Sequence, residues 1–392
     1  MAWSVNASRI VALLSELSLT GAPTLTLDIL EAVQPEASLR IASLKGGPLV
    51  DRATRLGPTV VLRQPLLARR LPRRLATDHA VLYEALTAGG SRFRAFQQAR
   101  KLHRWKPDIV YVASAAALPL VRMLRLDDVA VVLHVHELGS ALTSYQRDFP
   151  ELLLSVPNRY VAVSDAVARD LVDRLGVCPD SVTVVRPYVP AHQPVSTRQS
   201  PRNDWETLTV GGAGNPSWTK GIDLWLLAAR DAVDRLGVDR LRFVWVGWRD
   251  NEAGLQFRAM ISKLGLDSAV ELVPASDRIQ EHFSRFDMFA MSSWEESASL
   301  VVLEAMTAGV PVICFGPTGG PAEEVGAAGV VLPEISPRRM ADAIVDLAQS
   351  PQKRWALGSA GADRVREQYR RDTSLAALTD VFDAVLASRG RS

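Results

Sequence analysis

Two doubly wound α/β domains joined by a short hinge are the fold that this sequence predicts. The length of 392 residues fits two domains at the usual size of about 100 to 200 residues each. Short runs rich in Val and Ile alternate with longer segments of helical period, the pattern of βαβ units and parallel sheets, and the pattern occurs twice. Between the two occurrences, Pro190 to Trp205 is a stretch of Pro, Gln, Ser and Thr with little apolar periodicity, the composition of a linker. The expected division is a Rossmann-like domain over 1–190, a linker over 191–205, a second Rossmann-like domain over 206–372 and a C-terminal helix over 373–392 packing back across the domain junction.

In the first half the expected strands are Ile10 to Leu14, Leu39 to Ser43, Val60 to Leu62, Ile109 to Val112, Val129 to His134, Tyr160 to Val163 and Val182 to Val185. A helix over Ser164 to Leu175 opens on the capping pair Ser164-Asp165. In the second half they are Leu208 to Gly212, Phe243 to Val246, Val270 to Val273, Met288 to Ala290 and Val310 to Phe315. Arg338 to Leu386 is helical by pattern, with Met340, Ile344 and Leu347 on one face and Leu375, Leu378, Phe382 and Val385 on another. Ligands of such folds bind beyond the carboxyl ends of the strands, so the expected site is a cleft across which the two domains face each other.

Composition excludes several classes. With 47% hydrophobic and 22% charged residues the chain has material for two cores, which excludes global disorder. Its longest nearly apolar stretch, Ile109 to Val121, is well short of the roughly 18 to 20 residues that span a bilayer. Cys178 and Cys314 form no C-x-x-C pair or disulfide framework, and the N-terminal apolar run does not resemble a secretory signal, so a reduced cytoplasmic protein is expected. Residues 1–200 carry 24 Lys and Arg against 17 Asp and Glu, and the remainder 21 against 26. The excess concentrates between Arg63 and Lys106, where Arg69, Arg70, Arg73 and Arg74 alternate with leucines, a pattern suited to the anionic inner face of a plasma membrane or to a solvated basic loop. No recognition motif accompanies the charge, so nucleic acid is not an expected partner.

Chemistry concentrates in a few loops. After the strand ending near Met291 comes a polar loop with Glu295 and Glu296, then an apolar helix from about Leu300 to Ala308 that stops at Gly309. Ser297 or Ser299 can cap that helix, and the N–H groups of its first turn offer a site for a phosphate or a sugar hydroxyl. Glu304 sits one turn inside it among Leu, Val, Ala and Met, where a carboxylate needs donors such as vicinal ribose hydroxyls or a neighbouring loop. A second loop, Gly211 to Gly221, follows a strand and leads into a helix; its glycines allow close backbone approach to a phosphate, and Lys220 supplies a charge. His134-Val-His136-Glu137 ends a strand in the first half, where His136 beside Glu137 can orient a hydroxyl or a reacting sugar. Two histidines without a third ligand do not make a zinc site. Ser18 to Pro23 follows the first strand, and Gly21 can let that loop close over a ligand.

Taken together these residues resemble the signature of the retaining glycosyltransferases of family four, which have the GT-B fold. The resemblance runs through Glu296, seven residues and Glu304, then Ala305-Met306, Ala308-Gly309, Pro311-Val312-Ile313, and Gly319-Gly320 with Glu323. It extends to Lys220-Gly221, to Val163-Ser-Asp-Ala-Val before a helix and to the loop ending in Gly21-Ala-Pro23, nearly the whole chain. It implies that the second domain binds a nucleotide-diphosphate sugar, with Gly21, Gly214, Asn215, the backbone of Ser297, Ala298, Ser299 and Leu300, and Glu304 on the donor, and that base choice lies in the loop from Val273 to Asp277. Lys220 would neutralise the leaving diphosphate, Glu296 would contact donor sugar hydroxyls, and His136 would face the reacting sugar. The acceptor, lipid-linked or a polysaccharide, would bind the first domain. No metal or cofactor is implied. Two departures stand out. Asn215 stands where the family usually has an Arg, with Arg249 or Arg186 as substitutes, and supports a second reading, a catalytically weakened homologue that binds a sugar nucleotide or a partner. Glu296-Ser-Ala-Ser replaces Glu-Gly-Phe-Gly and implies a sugar pocket that is narrower or shaped for another sugar.

Overall fold

The computed structural model describes residues 8–63, 97–126, 128–189, 207–275 and 279–389. They build two parallel sheets. The first has seven strands, β1 (Arg9–Glu16), β2 (Ser38–Lys45), β3 (Thr59–Arg63), β4 (Ile109–Val112), β5 (Ala130–Val135), β6 (Arg159–Ala162) and β7 (Val182–Val184), in the order β3-β2-β1-β4-β5-β6-β7. The second has β8 (Leu208–Ala213), β9 (Leu241–Trp248), β10 (Val270–Pro274), β11 (Met288–Met291), β12 (Val312–Phe315) and β13 (Val330–Leu332), in the order β10-β9-β8-β11-β12-β13. Every adjacent pair is parallel. Strand order therefore reverses between β1 and β4 in one sheet and between β8 and β11 in the other, and the loops beyond the carboxyl ends at those reversals are where such sheets hold ligands.

The chain divides into two compact units. One comprises Met1–Val163, Ala168–Val185 and Leu375–Ser392, the other Ser164–Val167 and Arg186–Ser374. In the first, β1, β4 and β5 are buried on both faces, which is why they are near-continuous apolar runs in the sequence. Phe382 of the C-terminal helix Arg371–Arg389 meets Tyr111 of β4 edge-on, with ring centroids 5.6 Å apart. In the second unit Trp225 packs edge-on against Phe243 and Trp245, at 5.3 and 5.4 Å. A Cβ on Gly212 would lie 2.5 Å from the Trp245 ring, and one on Gly211 would lie 2.2 Å from Phe286. These two glycines serve the core of β8 and not the approach of a phosphate, which corrects the expectation drawn from their sequence.

Three elements differ from expectation. β13 was not anticipated: three residues after a Gly-Ala-Ala-Gly turn carry no usable periodicity. The helix expected over Ser164 to Leu175 is α-helical over Asp165–Arg169 and continues as a π turn over Asp170–Arg174. β12 begins at Val312, because Pro311 has no N–H for the ladder. The linker over 191–205 and the cluster Arg69, Arg70, Arg73 and Arg74 lie outside the described residues. Among the described residues no helix is long and apolar enough to cross a membrane.

Candidate active site

In the second unit the reversal between β8 and β11 brings together two loops far apart in sequence. β8 is followed by Gly214, whose φ is 138°, and the chain turns through Trp218–Lys220 into the helix Ile222–Leu236. After β11 the chain runs through Ser292, Ser293 and Trp294 to Glu296. The loops are stitched by the Trp294 N–H donating to Thr219 O at 2.8 Å and the Ser292 hydroxyl donating to Lys220 O at 3.0 Å. Trp218 and Trp294 stack, with centroids 6.0 Å apart and planes at 8°.

The product of this stitching is a direct ion pair between the Lys220 ammonium and the Glu296 carboxylate, 76 residues apart. The buried Ser293 hydroxyl adds a second donor to the same carboxylate oxygen at 3.1 Å. Sequence spacing had placed Lys220 and Glu296 in one domain; the structure makes them partners. Gly221 enables the turn. Its φ is +56°, and a Cβ there would lie 2.0 Å from Ser292 O. Gly221→Ala should therefore cost about 3 kcal/mol and lower the melting temperature by roughly 8 °C. An unchanged melting curve would show that the loop re-forms around a methyl group.

Glu296 is also held by its main chain. Its N–H donates to Thr318 O at 2.9 Å and its carbonyl accepts from Gly320 N–H at 2.9 Å, on either side of Gly319. Beyond it the helix Leu300–Thr307 begins at Ser299. The expected cap by Ser299 is corrected here. Its buried hydroxyl makes no cap bond and has no partner among the described residues. Instead the Ser299 N–H donates to the Glu324 carboxylate at 2.7 Å. Glu304, one turn in, is 5% exposed and takes a hydrogen bond from the Gln280 side-chain amide at 3.3 Å. Burial pushes its carboxyl up to about 7, an effect the Gln280 bond partly offsets.

In the first unit the reversal between β1 and β4 opens a cavity of about 330 Å³, lined among others by Glu16, Thr20, Lys45, Ser114, His136 and Glu137. The Ser18 hydroxyl bonds Glu16 at 2.7 Å and Thr20 at 2.9 Å, shaping the loop before the helix Gly21–Val33. Gly21 is the exposed first residue of that helix and has no positive φ. Burial pushes the His136 imidazole down to about 4, so it is neutral at pH 7. The ring that lies beside it is His134, at 4.3 Å between centroids, and His134 Nδ1 bonds the Tyr111 hydroxyl at 2.6 Å. Glu137 takes hydrogen bonds from the Ser114 hydroxyl and from the N–H groups of Ala115 at 3.2 Å and His136 at 3.1 Å. Burial raises its carboxyl above the ordinary carboxylate value.

The expected site residues thus fall into two groups, each on its own unit. Lys220, Glu296, Ser297, Ala298, Ser299, Leu300 and Glu304 gather at the β8–β11 reversal with Gly214 and the partly buried Asn215. Val273 lies in β10 and packs on the core beneath, and Asp277 lies outside the described residues. Of the two substitutes for the cation lacking at Asn215, Arg186 is engaged by Asp165 at 2.7 Å. Arg249 is exposed just past β9, the strand beside β8. Ser293, Ser114 and Glu324 were not singled out. Glu324 is one of two adjacent glutamates, and nothing in their order shows which is buried. Glu323 faces outward enough for its carboxylate to accept the Asp165 N–H at 2.8 Å. Among the described residues no group of three or more His, Cys, Asp and Glu is arranged to hold a metal ion.

Comparison with known proteins matches both halves. A family model described as glycosyl transferases group 1 matches residues 206–350, and one described as glycosyltransferase family 4 matches residues 45–193. The chain is 24% identical over 352 residues to the D-inositol 3-phosphate glycosyltransferase of Corynebacterium aurimucosum, covering 86% of this chain and 79% of the relative. It is 27% identical over 238 residues to the protein of the same name from Kineococcus radiotolerans, a match that covers 55% of this chain and about half, 54%, of that relative. A GDP-mannose-dependent alpha-(1-6)-phosphatidylinositol monomannoside mannosyltransferase of Mycobacterium tuberculosis is 37% identical over 124 residues, 29% of this chain and 32% of the relative. Among solved structures, Anabaena HepE in complex with UDP and glucose superimposes with a TM-score of 0.75 at 18% identity, over 96% of this chain and 100% of that one. Sucrose-phosphate synthase from Thermosynechococcus elongatus gives 0.75 at 15% identity, over 97% and 100%. The shared architecture is the GT-B fold of two Rossmann-like domains.

Proposed function

The chain belongs to the group 1, family four glycosyltransferases, and from that premise we propose that it transfers a hexose, with retention and without a metal, from a nucleotide-diphosphate sugar to a lipid-linked or polysaccharide acceptor. The observation that carries the proposal is the Lys220–Glu296 pair beside the start of the Leu300–Thr307 helix, with Glu304 one turn inside it. A cation and helix N–H groups suit a diphosphate, and a carboxylate short of donors suits ribose hydroxyls. The relative named as GDP-mannose-dependent supports a nucleotide-activated hexose, and the relatives named for inositol phosphate and phosphatidylinositol monomannoside support a polyol or lipid-linked acceptor.

In the proposed reaction the acceptor oxygen forms a bond to the anomeric carbon on the face from which the diphosphate oxygen departs. The acceptor proton passes to that departing oxygen, and no protein nucleophile takes part. Lys220 balances the charge that develops on the diphosphate. Glu296 both orients Lys220 and receives sugar hydroxyls. Arg249 supports the reading that a second cation replaces the one lacking at Asn215. The neutral imidazole of His136 would hold a hydroxyl of the reacting sugar or of the acceptor, on the first unit with Lys45 and Glu16. The basic cluster Arg69, Arg70, Arg73 and Arg74 would bring the protein to the anionic inner face of the plasma membrane.

Slow hydrolysis of a sugar nucleotide, with water in place of the acceptor, tests this directly. Proton NMR is expected to show the released sugar first in the anomeric configuration of the donor, at a rate unchanged by EDTA. A sugar released first as the opposite anomer, or hydrolysis abolished by EDTA, would overturn retention or metal independence respectively. Binding of the nucleotide with no turnover at all would favour the weakened-homologue reading, for which Asn215 is the specific observation.

A further inference from the structure

Glu324 lies on the Gly320–Val325 helix, 2% exposed, with one carboxylate oxygen on the Ser299 N–H at 2.7 Å and the other without a partner among the described residues. The Ser299 hydroxyl, equally buried, also lacks a partner. The segment these two residues join is already bound edge to edge: Glu296 bonds Thr318 and Gly320, and a Cβ on Gly320 would fall 2.3 Å from Ser297 O. The loop that carries Glu296 therefore rests on the turn that carries Glu324.

We propose that Glu324 is a positioning residue for the donor diphosphate, setting the 296–299 loop through its bond to the Ser299 main chain so that Glu296 meets Lys220. The inference rests on the donor reading given above. It concerns the charge behind the site as well as its shape. The groups that face Glu324 are Glu296 and Glu323, which oppose its ionisation, and Lys220, which favours it; Cys314 of β12 and Tyr369 at the end of the Pro351–Gln368 helix feel its charge in turn. Arg364 of that helix binds the main-chain oxygens of Glu323 and Glu324 and not the carboxylate. Burial foremost, with the two glutamates, raises the Glu324 carboxyl well above the ordinary range. Carrying its proton, Glu324 accepts from Ser299 with one oxygen and adds no negative charge behind the place where a diphosphate must lie.

The test compares wild type with Glu324→Gln and Glu324→Ala, titrating UDP and GDP by calorimetry between pH 6 and 9 and measuring donor KM and kcat separately. Glutamine keeps the acceptor and stays neutral, so its affinity should match wild type within about threefold at low pH and exceed it progressively as pH rises and Glu324 ionises, whatever pH dependence Glu304 gives to both proteins. Alanine leaves the buried Ser299 N–H unpaired and should weaken nucleotide binding about tenfold, raising KM more than it lowers kcat. Alanine that binds like wild type, or folded glutamine that binds as weakly as alanine, would overturn the proposal. If alanine does not fold, the pH profile decides: glutamine and wild type following the same pH profile throughout would overturn it. Wild type that binds neither nucleotide would remove the donor reading itself, whereas wild-type binding with unaffected variants would remove Glu324 alone.

Discussion

Lys220→Ala is expected to lower turnover by roughly 10²- to 10³-fold while leaving the fold intact, the loss typical when one preorganised charge on a transition-state oxyanion is removed. The charge on a departing diphosphate grows as the glycosidic bond breaks, so a cation held in place stabilises the transition state more than the ground state. Lys220 is held in place by Glu296, which is fixed through its main chain to Thr318 and Gly320. The variant leaves Glu296 with Ser293 as its side-chain donor, and because the pair is partly exposed the loss of stability should be modest, about 1 to 2 kcal/mol. Lys220→Arg should restore little, since a planar fork does not fill the place of a compact ammonium. Turnover of Lys220→Ala equal to wild type would remove Lys220 from the mechanism.

Glu304→Gln should move stability and binding in opposite directions. The Glu304 carboxyl is pushed up to about 7 by burial, from about 4.5 in the unfolded chain. Between those two values the folded protein binds more protons than the unfolded one, so stability contributed at this site is full below pH 4.5 and falls as pH rises through about 7. Glutamine mimics the neutral acid. It should match wild type at pH 4.5 and be more stable above pH 7, by as much as about 3 kcal/mol. Yet a carboxylate accepts hydroxyl hydrogen bonds more strongly than an amide, so glutamine should weaken nucleotide binding by about 10- to 100-fold. Donor hydroxyls would also favour the ionised form, so nucleotide binding to wild type near pH 7 should release protons. Denaturant curves at pH 4.5 and 8 check the first claim, and calorimetry in two buffers of different ionisation enthalpy checks the second. A variant with unchanged affinity and an unchanged stability profile would leave Glu304 as an ordinary helix residue.

What the sequence disclosed depended on range. Strands buried on both faces, such as Ile109–Val112 and Met288–Met291, are apolar runs whose identity needs only neighbouring residues, and they were legible. β13, three residues long, was not. The spacing of Glu296 and Glu304 on one loop and helix was legible for the same local reason. Contacts across the sheet were less so. Glycines Gly211 and Gly212 suggested a phosphate loop, while Phe286 and Trp245 are the reason for them. His136 stands next to Glu137 in sequence, yet the ring that lies beside it is His134, two residues back on the same face of the strand. Ser299 stands where a cap belongs, yet Glu324, 25 residues on, takes its N–H.

The most direct measurement is a calorimetric titration of UDP, GDP and their hexose conjugates into wild type, Lys220→Ala and Glu304→Ala. Binding of one base class at a single site, weakened in both variants while the proteins remain folded, is the expected result and would name the donor nucleotide. Nucleotide binding of equal strength in all three proteins would place the donor elsewhere and contradict the assignment of Lys220 and Glu304 to its site.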